Sequence, residues 1–142
     1  MNYLEEILEN EGSEEDKFYA VADIVAEKEA ERSFNSLKVE EKNIFMIDTL
    51  LSEINNGGLD EYFFNTNSKY SADTVNVLKM IGQSEFAEII NQASIIYNGD
   101  SADEDKFDML NEFDERIYEK VDFEALYKSC LHYLRSYKQK FN

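Results

Sequence analysis

SEFAEIINQASIIY, residues 84–97, sets the period in which the rest of the chain is read. Phe86, Ile89, Ile90, Ala93, Ile96 and Tyr97 recur at steps of three and four. That spacing lines one face of an α-helix, whereas a strand would alternate. Ser84 is a good helix start, and the stripe spans three turns without a break. The chain has no proline and only five glycines, so little interrupts the pattern on either side.

Upstream, Ser71 with Asp73 in its first turn begins a helix carrying Val75, Leu78 and Ile81, which Gly82 ends. Downstream, Asp103 is expected to cap a helix holding Phe107, Leu110, Phe113 and Ile117. Asp122 caps the last helix, with Phe123, Leu126, Tyr127, Cys130, Leu131 and Leu134 in register. At the N-terminal end, Asn2 caps a short helix closing near Gly12. Ser13, followed by Glu14, Glu15 and Asp16, opens a second that reaches about Arg32 through Phe18, Val21, Ala22 and Val25. Ser36 is expected to begin a third, lined by Ile44, Ile47, Leu51 and Ile54 and widened by Phe45 and Leu50, which runs into Asn55-Asn56-Gly57-Gly58. At that corner Gly57 is expected to take the left-handed helix terminus and Gly58 to allow a close reversal. One or two turns of LDEYFFN then return Tyr62, Phe63 and Phe64 onto the helix just left. The expected fold is all-α: one domain over residues 1–142, a helical bundle or array of about seven or eight helices.

The totals agree with a folded chain, because a hydrophobic fraction of 43% with ten Phe and nine Tyr in 142 residues is enough for a core. The formal net charge is −17, beyond the roughly 2 to 8 that suits a small soluble domain. It is also uneven. Residues 116–142 carry six Lys and Arg against three Asp and Glu, leaving eight against 28, net −20, for residues 1–115. Such a field repels nucleic acid and anionic membrane and attracts basic surfaces. A lone cysteine, the absence of any span-length apolar run and an acidic N-terminus suit a reducing cytoplasm.

Familiar reaction chemistry finds no foothold. In NGDSADEDKFDMLNE, counting from Asp100 puts Ala102, Asp105 and Asn111 where a calcium loop needs a ligand, a glycine and a glutamate. Cys130 and the single histidine, His132, are two apart on a helix, and Cys130 falls in the apolar stripe. No zinc spacing, phosphate-binding glycine loop or nucleophile elbow occurs. The expectation is a non-enzymatic protein with no catalytic residues, no metal and no cofactor.

The acids are patterned. Asp23, Glu27 and Glu31 stand at i, i+4, i+8, and Asp105, Asp108, Glu112 and Glu115 at i, i+3, i+7, i+10, so each set forms a row on one helix face. One helical turn rises about 5.4 Å, while each DNA strand carries a charge every ~3.4 Å. The rows therefore make a rigid, sparser version of a phosphate track. A solvated face is the plainer reading of either row alone; the two together, on so acidic a chain, point to a basic partner.

Residues 50–93, LLSEINNGGLDEYFFNTNSKYSADTVNVLKMIGQSEFAEIINQA, resemble the signature region of the bacterial DNA-mimic protein family of small, acidic, all-helical proteins. The matching elements are Glu53 with Asn56-Gly57-Gly58, then Tyr62-Phe63-Phe64-Asn65, then Leu78 to Gly82, then Ala87 to Ala93. NEFDERIYEKVDFEALYKSCLHYLR resembles the family's closing helices, so the likeness covers about residues 40–135. Leu59 stands where the family has an aromatic, and Ser68-Lys69 where it often has a glycine. The resemblance implies the all-α fold and a negative surface that imitates DNA and occupies a transcription factor or another nucleic-acid-binding protein. The signature residues Asn56, Gly57, Gly58, Tyr62, Phe63, Phe64, Asn65 and Gly82 read as architecture, and the acid rows as the partner-binding surface.

The expected partner is thus a basic protein, such as a DNA-binding regulator, with no direct nucleic acid and no membrane; a homodimer stays open. Three alternatives stand beside it. One is an immunity or antitoxin-type inhibitor of a basic toxin or nuclease. Another is a metal-dependent hydrolase using the acids of 100–108. The third is a small-ligand or structural domain in which Tyr62 and Asn65 line a cleft.

Overall fold

The computed structural model describes residues 2–137, and these are helical from end to end with no strand among them. Seven α-helices follow in order: α1 (Tyr3–Glu9), α2 (Glu14–Arg32), α3 (Val39–Thr66), α4 (Ser71–Met80), α5 (Ser84–Tyr97), α6 (Asp103–Lys120) and α7 (Phe123–Tyr137). The all-α expectation is met.

Three of the start signals act as the sequence suggests. The Asn2 side chain accepts from the Glu5 N–H at 2.8 Å, Ser13 from the Asp16 N–H at 3.0 Å, and Asp122 from the Ala125 N–H at 3.1 Å. Each satisfies one of the amide donors that a helix start leaves open. Two starts differ. Ser36 does not begin α3; it closes a single 3₁₀ turn, Phe34–Ser36, where its hydroxyl donates to the Ser33 carbonyl. Helix α3 begins at Val39 because Glu41 reaches back, its Oε1 accepting the Lys38 N–H at 3.0 Å and its Oε2 meeting Lys28 Nζ at 2.7 Å. That glutamate is only 3% exposed, so the ion pair and the cap together compensate its burial. Asp103 is the first residue of α6 and not its cap, which falls on Ala102 with no side-chain bond. Its carboxylate, with those of Glu104 and Asp105, still faces the positive end of the dipole.

The chain divides into two compact units, Met1–Asp48 with Asp122–Asn142, and Thr49–Val121. In the first, Leu4 of α1, Phe18, Val21 and Val25 of α2, Ile44 and Ile47 of α3, and Leu126, Cys130, Leu131 and Leu134 of α7 are buried. Phe18, Tyr19 and Tyr127 form an aromatic cluster with ring centroids 5.1–5.7 Å apart. The Tyr19 and Tyr127 hydroxyls lie 3.3 Å from each other.

In the second unit, α5 packs between α4 and α6. Leu50, Leu51, Ile54, Leu59, Tyr62, Phe63, Leu78, Phe86, Ile90, Leu110 and Ile117 are buried there. Phe107, expected at the head of the α6 stripe, is 51% exposed, and the buried stripe of that helix starts at Leu110. Helix α4 ends as expected, with Gly82 at φ +87° and the Gln83 N–H donating to the Leu78 carbonyl at 2.8 Å. In the turn after α3, Asn67 and Ser68 take left-handed φ values of 56° and 57°.

Candidate functional site

The two acid rows lie on the outer faces of α2 and α6, one in each unit. Asp23, Glu27 and Glu31 are all exposed, and so are Asp105, Asp108, Glu112 and Glu115. At a rise of 1.5 Å per residue the first row spans about 12 Å of helix axis and the second about 15 Å. Among the described residues none of the seven carboxylates takes part in an ion pair or hydrogen bond. A cation brought to either row would therefore not first have to displace an internal partner.

The glycine corner is built differently from the sequence expectation. Helix α3 continues through Gly57 and breaks at Gly58, which has φ +83° and ψ −171°. The left-handed residue is thus Gly58 and not Gly57. Such a backbone is open almost only to glycine. A Cβ on Gly58 would also lie 2.5 Å from Asp114 Oδ2. Gly57 is required by close approach: a Cβ there would press on the Glu61 stem, 2.9 Å from its Cβ.

The break frees the Leu59 N–H, and Asp114 of α6 takes it, Oδ1 accepting at 2.9 Å. A carboxylate from a distant helix thereby caps the second limb of α3. Burial raises the Asp114 carboxyl above the usual carboxylate range, with a further push from Asp60, while the Leu59 N–H draws it back. Across the kink, Asn65 Nδ2 donates to Glu53 Oε2 at 2.7 Å and to Glu61 Oε2 at 3.1 Å, tying the two limbs together. Glu53 and Asn65 are both in the sequence signature, but their partnership is not visible there. Asp114 carries no signal at all until α6 is folded against the corner.

The aromatic run divides by burial. Tyr62 and Phe63 are fully buried and Phe64 is 70% exposed. Phe63 stacks on Tyr97 at 5.0 Å, and the Tyr62 hydroxyl donates to Thr74 Oγ1 at 3.4 Å. Phe64 therefore does not return onto the helix, and Tyr62, fully buried, lines no cleft. Cys130 is core as expected, its thiol pushed up to about 12 by burial. Among the described residues no three His, Cys, Asp or Glu side chains converge as a metal ion would require, so the acids of 100–108 offer no ready cage. No helix among those residues is long and apolar enough to cross a membrane.

A protein-family profile described as "DMP19-like protein" matches residues 35–137. Neither the comparison with curated proteins nor that with solved structures finds a match.

Proposed function

We propose, from the premise that this chain belongs to the DMP19-like protein family, that it is a DNA mimic: a non-enzymatic protein whose acidic helix faces occupy the DNA-binding surface of a basic protein. The family kinship supports the mimic reading. The observation that carries it for this chain is that seven patterned carboxylates are exposed and uncommitted on α2 and α6. Rows of fixed negative charge on rigid helices lose little conformational freedom on binding, unlike charges on a loose tail. They reproduce what a non-specific DNA-binding surface reads, namely phosphate charge in sequence-independent array.

The partner we envisage is a regulator or other nucleic-acid-binding protein in the same compartment, which we take to be the cytoplasm. Pull-down from native cell extract at low salt, eluted by a salt step, tests this. The expected eluate is one or a few basic DNA-binding proteins. Recovery of neutral partners whose binding ignores salt would sink the reading.

A further inference from the structure

A groove of about 570 Å³ opens in the Thr49–Val121 unit at the meeting of three helices. Asp60 and Phe64 reach it from the second limb of α3, Tyr97 from the end of α5, and Asp103, Glu104 and Phe107 from the first turns of α6. Its walls combine two kinds of group. The first is aromatic surface left out of the core: Phe64 is 70% and Phe107 51% exposed, and Tyr97 is held in place by its stack on buried Phe63. The second is negative charge from two separate helices. The acids at 103 and 104 lie in the first turn of α6 and Asp60 in the first turn after the break at Gly58, so two helix starts contribute the charge. The field is felt locally, since burial and then the Asp60 and Asp103 carboxylates raise the Tyr97 phenol. Lys106 also lines the groove and offsets only part of that charge.

We infer that this groove is an anchor for an arginine side chain of a protein partner. It rests on the reading that the chain binds a basic protein, and it names the point where that partner is gripped. A metal ion needs ligands converging on one point, and these carboxylates do not converge. Spread carboxylates beside aromatic faces suit a planar, delocalised cation instead. A guanidinium stacks on a ring while its edge N–H groups pair with carboxylates. An ammonium also sits over rings, as Lys69 does over Tyr70, but as a compact, strongly hydrated point charge it cannot stack flat on a ring and present an edge of N–H groups to carboxylates at once. The groove is thus selective for arginine over lysine, a distinction the helical acid rows cannot make.

Calorimetric titration of the full chain with hexa-arginine and hexa-lysine peptides tests this at fixed moderate salt. Three proteins are compared: the wild type, the double variant Phe64→Ala/Phe107→Ala, and the row variant Asp105→Asn/Asp108→Asn/Glu112→Gln/Glu115→Gln. Both phenylalanines are exposed, so the double variant keeps its core, and an unchanged thermal melt verifies it. The wild type is expected to prefer the arginine peptide by on the order of tenfold. The double variant should lose that preference, with a clearly smaller loss toward the lysine peptide than toward the arginine peptide. Equal binding of the two peptides by the wild type, or a preference that survives in the double variant, overturns the anchor. Failure of the broader reading looks different: neither peptide binds, or the row variant binds both as well as the wild type does.

Discussion

Asp114 sits where a Cβ on residue 58 would have to go, and that exclusion links two residues 56 positions apart. Gly58→Ala must either move the carboxylate that caps Leu59 or abandon the φ of +83° that turns the chain. Both are costly, so the variant should lose about 1–3 kcal/mol in denaturant unfolding, and an unchanged midpoint would refute the glycine-only geometry. Asp114 itself allows a finer test. Burial first, and the Asp60 charge after it, raise its folded pKa above the ordinary value of 3.8. The folded state therefore holds the proton more tightly than the unfolded state, so ionised Asp114 lowers stability, and the deficit disappears as pH falls through its folded pKa towards 3.8. Asp114→Asn keeps an oxygen for the Leu59 N–H without the charge. It should equal or exceed the wild type at pH 7, and the gap should close as the pH approaches 4. Asp114→Ala, with no acceptor, should fall about 1 kcal/mol below the Asn variant. Melts of the three proteins across pH 4–7 check the order.

Among the helices, what could be read in advance was whatever is decided within one turn of chain. Asn2, Ser13 and Asp122 cap their own helices, and the three–four stripes of α2, α5 and α7 are buried where the spacing places them, save at Ile96, Tyr97 and Phe123, which are half-buried. What could not be read depends on contacts made across the fold. Helix α3 starts at Val39 and not at Ser36 because Glu41 meets Lys28 of α2. Its break falls at Gly58 and not Gly57 because Asp114 arrives from α6. The same limit applies to the candidate site: the acid rows are local patterns and were visible, whereas the aromatic groove takes residues from three helices and was not. At this scale function and stability should separate. Asp105, Asp108, Glu112 and Glu115 are successive like-charge neighbours at i+3 and i+4, each pair costing a few tenths of a kcal/mol. Neutralising all four as Asn and Gln removes these repulsions along with the favourable dipole contact of Asp105, so the thermal midpoint should change little while capture of a basic partner weakens. A variant that is both less stable and fully competent to bind would reverse the roles assigned to this face.

For the molecule as a whole, the net charge of −17 is a cost to the compact state and a gain to association with a cation-rich surface. Added salt should accordingly act in opposite directions on the two, raising the thermal midpoint of the free chain and weakening its complexes, because screening relieves self-repulsion and mutual attraction alike. Whether the acidic helix faces stand in for DNA is decided by competition. A fluorescent duplex is bound to the basic protein recovered from native extract, and the chain is titrated against it at two salt concentrations. Displacement of the duplex is expected, with duplex and chain each bound more tightly at 50 mM than at 200 mM salt, and it should be markedly impaired at both when the α6 row is neutralised. A chain that binds the same protein while leaving the duplex in place, or displaces it equally well without its row of carboxylates, would contradict the account.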